Sequence, residues 1–264
     1  MQKKYFNRFK AKLSTTRKKN KFTITFLAIL ILVTTLINFV YIPQAIAKET
    51  DSNNYYRTKT FHNPDGIGKY YMNREIARVM GHQAMGWLER DGREKAENPQ
   101  AVIEHLDLKP TDTVADLGTG TGYFAFRIAN LVPEGKVYAV DIQPEMLEVV
   151  SQIEEENNIT NVETILGTED NPNLPENSVD LALMVDAYHE FAYPREMISN
   201  LYNSLKPGGR VVLVEYRQEN PMIMIKPLHK MSQKQVKKEM KAVNLKWLKT
   251  QQFLPEQHFM VFEK

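Results

Sequence analysis

The run Val114-Ala115-Asp116-Leu117-Gly118-Thr119-Gly120-Thr121-Gly122 constrains the fold more than any other part of this chain. Apolar residues lead into an acid, and three alternate glycines then open an amphipathic run from Phe124 to Leu131. That order reads as strand, tight turn and helix, the unit with which an α/β sheet presents backbone to a nucleotide. Glycines remove Cβ atoms where a ligand must come close to the main chain. The spacing is G-x-G-x-G, whereas a dinucleotide pyrophosphate is usually cradled by G-x-G-x-x-G. A ligand without phosphate is therefore favoured.

A second acid sharpens this. Lys136-Val137-Tyr138-Ala139-Val140-Asp141 is a short β-type run ending in a carboxylate, 19 positions after Gly122. An acid at the tip of the second strand can accept hydrogen bonds from both hydroxyls of a ribose. Asp116, beside the glycine turn, would repel a pyrophosphate but suits a ligand that carries an ammonium group and a sulfonium.

Together with Leu205-Lys206-Pro207-Gly208-Gly209-Arg210-Val211-Val212-Leu213, these motifs resemble class I S-adenosylmethionine (SAM)-dependent methyltransferases over roughly residues 95–264. The resemblance implies an α/β, Rossmann-like, doubly wound and mostly parallel seven-stranded sheet with an antiparallel terminal strand. It implies SAM as cofactor, held by Asp116, Gly118, Gly120, Gly122, Asp141, Ile142 and Asp186. Relatives hold the adenine after the third strand. Thr168 stands where many of them have an acid, leaving Glu169, or Asp170 beside it, to accept from the exocyclic amine.

The rest of the chain alternates as such a sheet requires. Helices are expected at Pro144–Asn157, Pro194–Leu205 and Ser232–Asn244, and strands at Val162–Leu166, Ser178–Val185 and Arg210–Tyr216. Strands near Trp247–Leu254 and Gln257–Glu263 would form a closing hairpin. Ahead of the first strand, helical segments are expected near Arg74–Arg90 and Glu94–Leu106. The first of these is read as a lid over the cofactor or as packing against the sheet, and the two are compatible.

Chemistry belongs at the carboxyl ends of the strands. The fourth strand delivers Asp186-Ala187-Tyr188-His189-Glu190 to the mouth where an acceptor would lie. Tyr188, His189 and Glu190 are the catalytic candidates, with His189 as a general base because imidazole titrates near neutrality. The plainer alternative is that His189 orients its loop through a hydrogen bond. Tyr216, Arg217 and His229 are the substrate-binding candidates, and Lys226 and Lys230 flank His229 as candidate anion holders. The six histidines show neither H-x-x-x-H nor H-E-x-x-H spacing, so no metal site is expected from linear pattern.

Composition narrows the partners. There is no cysteine, which excludes disulfides and thiolate ligands and argues against the thiol-dependent arsenic methylation found in some relatives. Nine of the 34 basic residues fall in residues 1–21, so the remainder carries 25 bases against 32 acids. An acidic body gives no support to nucleic acid as substrate.

The N-terminus is a separate signal. Behind the basic segment, Phe22 to Ile42 gives 21 residues without a charge. As a helix this run would extend about 32 Å, enough for a bilayer core of about 30 Å. It reads as a retained anchor or as a signal peptide cleaved after Ala47, with retention preferred. The excess of positive charge before it directs residues 1–21 to the cytoplasm and the body across the membrane, away from the site of SAM synthesis. The side on which the body lies stays open.

The expected organisation is a basic segment (1–21), a transmembrane or signal-anchor helix (22–42), a linker (43–60), a helical lid (61–110) and the SAM-binding domain (111–264). The expected activity is methyl transfer from SAM to a small-molecule acceptor, with a lipid or quinone suggested by the membrane segment. Two alternatives stand beside it: a membrane-tethered SAM-binding protein without catalysis, and an NAD-dependent oxidoreductase, which Asp116 and the G-x-G-x-G spacing disfavour. Oligomeric state has no signal in the sequence.

Overall fold

Strand β4 (Thr113–Leu117) is buried on both faces, with Val114 and Ala115 fully covered, so it must lie at the centre of a sheet. Helix α3 (Tyr123–Ala129) follows at once, starting from Gly122 in the left-handed region. The pattern repeats through β5 (Lys136–Asp141), α4 (Pro144–Asn157), β6 (Val162–Leu166), β7 (Val179–Val185), α5 (Pro194–Ser204) and β8 (Leu205–Tyr216). Helix α6 (Gln233–Lys241), β9 (Lys246–Gln251) and β10 (Gln257–Glu263) complete the sheet. Both α4 and α5 begin with a proline in the first turn, where its missing N–H costs nothing. Ser232 caps α6 by accepting from Gln235 N at 3.2 Å.

This computed structural model describes residues 55–264. The expectations for the basic segment 1–21, the apolar run 22–42 and linker residues 43–54 lie outside the described residues. Among the described residues, no helix is long and apolar enough to cross a membrane.

The seven strands lie in the order β6-β5-β4-β7-β8-β10-β9. Strands β6, β5, β4, β7 and β8 are parallel, and β10 runs antiparallel to both β8 and β9. This is the expected doubly wound sheet with its reversed final strand. The chain order turns at β4, which has β5 on one side and β7 on the other, so a crevice opens at their carboxyl ends. Lys206-Pro207-Gly208-Gly209, expected as a turn ahead of its strand, is instead a bulge inside β8. Between the pairs Val179–Leu205 and Leu181–Arg210, these residues of β8 stand opposite Asp180 alone, with Gly208 at φ 74°.

The N-terminal part of the body corrects the sequence expectation more substantially. Residues 61–77 are not helical. They hold most of a three-stranded antiparallel sheet, β1 (Tyr56–Thr58), β2 (Gly66–Tyr71) and β3 (Arg74–Ala77), with β1 inside the expected linker. The cause is local. Met72 and Asn73 both take positive φ, the geometry of a two-residue hairpin turn, which ends any helix before it begins. A 3-10 helix at His82–Trp87 and two short helices, α1 (Arg93–Glu97) and α2 (Pro99–Glu104), follow. Asn98, at φ 50°, separates α1 from α2, so the single helix expected over 94–106 is broken. Residues 55–264 form one compact unit.

Candidate functional site

A cavity of about 660 Å³ opens at the carboxyl ends of β4, β5 and β7. Its floor is the glycine turn. Gly118 N and Thr119 N both donate to Val140 O, at 2.9 and 3.0 Å, tying the turn to the end of β5. Gly118 and Gly120 line the cavity at φ 74° and 54°. A Cβ on Gly118 would lie 2.7 Å from the Ala187 Cβ, and one on Gly120 would lie 2.5 Å from Leu88 Cδ1. Gly122 serves differently: it starts α3 and leaves room for the Phe126 ring, and it does not line the cavity.

Asp141 closes one wall. Its Oδ2 accepts from Gly120 N at 3.0 Å and its Oδ1 from Gln143 N at 2.9 Å. Burial raises its pKa against these backbone donors. Each carboxylate oxygen has two acceptor sites, so one on each remains available to a diol. Ile142, Thr168 and Glu169 continue this wall, whereas Asp170 is not among the lining residues and accepts from Thr168 Oγ1 at 2.6 Å.

Asp186 stands at the end of β7 in a left-handed conformation, φ 49°, which aspartate tolerates better than most side chains. Gln257 Nε2 donates to its Oδ2 at 2.6 Å, while its buried Oδ1 has no hydrogen-bond partner among the described residues. Burial, with Glu97 and Glu215 nearby, pushes its pKa well above the ordinary carboxylate range. An unpartnered acceptor in a cavity wall is what a ligand ammonium group would satisfy.

The cover comes from the N-terminal segment, as the lid reading expects, although with little helix. Val79, Met80, Ala84, Trp87 and Leu88 face the cavity. His82 N donates to Gln143 Oε1 at 2.7 Å, and Gln143 Nε2 donates to Met80 O at 3.0 Å. Thr121 Oγ1 also donates to Glu89 Oε1 at 2.8 Å. Ile76 and Met85 of the same segment are buried.

His189, Glu190 and His229 also converge along the cavity lining. His189 Nδ1 lies 2.7 Å from Glu215 Oε2, and its Nε2 lies 3.1 Å from His229 Nδ1. Burial pulls the His189 imidazole down, but Glu215 outweighs it and leaves the pKa raised. Glu215 is itself buried and holds the His189 ring.

Four side chains expected at the site do not line the cavity. Tyr188 is buried and its hydroxyl donates to Glu239 Oε2 at 2.7 Å, so it is a structural residue rather than a catalytic candidate. Arg217 donates to Pro255 O and Leu254 O, clamping the β9–β10 turn, because strand alternation directs it opposite to Tyr216. Asp116 is buried behind the turn, where Thr119 Oγ1 donates to it at 2.8 Å. Burial pushes its pKa up to about 6. Lys230 donates to Ile223 O and is likewise not a cavity residue, whereas Lys226 is one and pairs with Asp65.

Tyr216 does line the cavity, but its hydroxyl donates to Glu97 Oε1 at 2.7 Å. Glu97 is a wall residue that the sequence reading misses, held by Arg93 Nε at 2.9 Å and by Arg90. Burial alone would raise the Glu97 pKa, but Arg93, Tyr216 and Arg90 together hold it below the ordinary value. The i, i+4 spacing of Arg93 and Glu97 is the signal that could have found it. Gln143 and Gln257, also missed, carry no pattern by which a sequence would reveal them.

A sheet of this order, with a glycine turn and an acid at the ends of adjacent central strands, defines a class I methyltransferase fold. The chain belongs to the class I SAM-dependent methyltransferase family: residues 108–259 match its methyltransferase domain model. An uncharacterized methyltransferase-like protein of Schizosaccharomyces pombe is 32% identical over 146 residues, 55% of this chain and 54% of that protein. A demethylmenaquinone methyltransferase of a Geobacillus strain is 27% identical over 118 residues, 44% of this chain and 50% of that enzyme. The chain spans about half the length of these curated relatives. Among solved structures, a SAM-dependent methyltransferase from Aquifex aeolicus shares the fold with a TM-score of 0.66 and 23% identity. That match covers 70% of this chain and 99% of the other.

Proposed function

We propose that this protein binds SAM in the cavity at the glycine turn and transfers its methyl group to an apolar small molecule. The observation that carries the reading is the unpartnered Oδ1 of Asp186, which shares the cavity with the glycine turn and the Asp141 carboxylate. When bound, SAM supplies a methyl group already made electrophilic by its sulfonium. Gly118 and Gly120 let the ligand approach the backbone, Asp141 accepts from the ribose hydroxyls, and Asp186 accepts from the ammonium group. Glu169 and Thr168 lie where the purine edge would be read.

The protein's own share of the chemistry is then alignment and exclusion of water, which can supply about 7–11 kcal/mol. Trp87, Leu88, Phe191 and Met197 give the cavity apolar walls, suited to a hydrophobic acceptor such as a quinone or lipid. The similarity to a demethylmenaquinone methyltransferase supports that class. His189 Nε2 and the Glu190 carboxylate face the acceptor side and would receive its proton. Arsenic is disfavoured because the chain has no cysteine.

Isothermal titration of the full chain with SAM tests the cofactor. Binding in the submicromolar to millimolar range, abolished by Gly118→Val or Asp141→Ala, supports the site, and unaltered binding in both variants would sink it. Incubation with labelled SAM and a membrane extract then identifies the acceptor, while no transfer to any component favours the non-catalytic SAM-binding alternative.

Residues 22–42 are read as a membrane anchor or, if cleaved after Ala47, an export signal, and the basic residues before them favour the outer face over the cytoplasmic one for the body. Protease treatment of sealed spheroplasts checks this, and complete protection of the body would overturn the outward placement.

A further inference from the structure

The cluster at the acceptor side has a geometry beyond that of a single base. His189 Nε2, His229 Nδ1 and Glu190 Oε1 lie 3.1, 3.4 and 3.8 Å apart, pair by pair. Ligand atoms at about 2.0–2.1 Å from a tetrahedral Zn²⁺ ion stand about 3.3 Å from one another. The two rings meet edge to face, at 74°, with their centroids 4.9 Å apart, so they are not stacked.

The side chains of two of the three ligands are also held from behind. Glu215 Oε2, itself buried, lies 2.7 Å from His189 Nδ1 and accepts its hydrogen bond, so a neutral His189 would carry its proton on Nδ1 and turn the Nε2 lone pair to the cluster. The pairing of a carboxylate with the far nitrogen of a ligating histidine is the usual outer support of a metal site. Met80 N donates to Glu190 Oε2 at 3.1 Å, leaving Oε1 to face the two histidines. His229 is fixed at the end of its 3-10 turn by its own N–H to Lys226 O at 3.0 Å. All three residues line the cavity.

We propose that His189, Glu190 and His229 form a divalent transition-metal site of the Zn²⁺ class, with a coordination position open to the cavity. Two imidazoles and one carboxylate are a donor set for borderline ions such as Zn²⁺, Fe²⁺ and Co²⁺ rather than for Mg²⁺ or Ca²⁺. Linear spacing hides the set because 40 positions separate the histidines. The expectation of no metal site rests on that spacing alone.

The role of the ion rests on the methyl-transfer reading above. An acceptor hydroxyl would occupy the open position, and the positive charge would favour its deprotonated form, the proton leaving to solvent. The oxygen then bonds to the methyl carbon as the carbon–sulfur bond breaks and its electron pair stays on sulfur. With the ion bound, His189 Nε2 and Glu190 serve as ligands, and the proton that they would receive in its absence passes to solvent.

Metal titration separates this from a purely hydrogen-bonded cluster. The full chain, stripped with a chelator, should take up one Co²⁺ with visible absorption bands of low coordination number, displaced by Zn²⁺. His229→Ala and Glu190→Gln should weaken uptake at least tenfold, Glu215→Gln about 10–100-fold, and His105→Ala should leave it unchanged. Failure to bind stoichiometric Co²⁺, or binding that survives His229→Ala, overturns the site. Thermal shifts with SAM on the same samples report folding and the cofactor turn independently. SAM binding without Co²⁺ uptake sinks the metal site alone, and the reverse sinks the methyl-transfer reading alone.

Discussion

Arg74 and Glu239 are joined by two parallel hydrogen bonds, Nε to Oε1 at 2.9 Å and a terminal guanidinium nitrogen to Oε2 at 3.0 Å. The pair ties β3 to α6 across 165 positions of sequence, and Glu239 is almost completely buried. The third guanidinium nitrogen of Arg74 donates to His189 O at 3.0 Å, so the same side chain also anchors the loop that carries the candidate acceptor site.

Breaking that pair should leave a buried carboxylate without its counter-charge. Arg74→Met is expected to destabilise the fold by about 3–5 kcal/mol. Urea unfolding followed by circular dichroism measures it, and a loss below about 1 kcal/mol would mean that solvent replaces the arginine freely.

Tyr188→Phe distinguishes a structural hydroxyl from a catalytic one. The Tyr188 hydroxyl ends on Glu239, which keeps Arg74 and Gln235 as partners when it is removed. The expected cost is about 1 kcal/mol of stability. SAM affinity and turnover should stay within about twofold, and a large fall in turnover at unchanged SAM affinity would return Tyr188 to the chemistry.

Much of this is legible in the sequence where local pattern and tertiary role coincide. The glycine turn, Asp141 and the apolar runs of β4, β5 and β7 each carry their own signal, and each sits where that signal implies. The N-terminal sheet is not legible, because β1 is three residues long and exists only by pairing with Tyr71, Tyr70 and Lys69. Arg217 departs from expectation because a place at a strand end says nothing about which face the side chain takes. The convergence of His189 with His229 depends on two separate loops, and no period in the chain relates them.

Cofactor affinity should respond sharply to the turn and to the acid opposite it. Gly120→Ala places a Cβ 2.5 Å from Leu88 Cδ1 at a φ that L-residues avoid, so it strains the turn and displaces the cover together. Asp141→Asn keeps the shape but removes the charge and at least one acceptor site. SAM affinity is expected to fall at least tenfold in both, about 1.4 kcal/mol or more. Calorimetric titration checks it, and an unchanged Kd for Asp141→Asn would remove the ribose role from that residue.

The buried Asp116 gives the fold a pH dependence of definite sign. Burial raises its folded pKa to about 6, above the ordinary aspartate value of 3.8. The folded state therefore holds the proton more tightly, so this group stabilises the protein fully below about pH 4. That contribution is lost as pH rises through about 6, and a difference of this size corresponds to about 3 kcal/mol. An asparagine at this position would be neutral at every pH and could still accept from Thr119 Oγ1. Melting temperatures of the wild type and Asp116→Asn, measured from about pH 4 to 8, should diverge as pH rises, with the variant the more stable near neutrality. Parallel profiles would show that Asp116 titrates as an ordinary carboxylate and that Thr119 and the α3 N-terminus compensate fully for its burial.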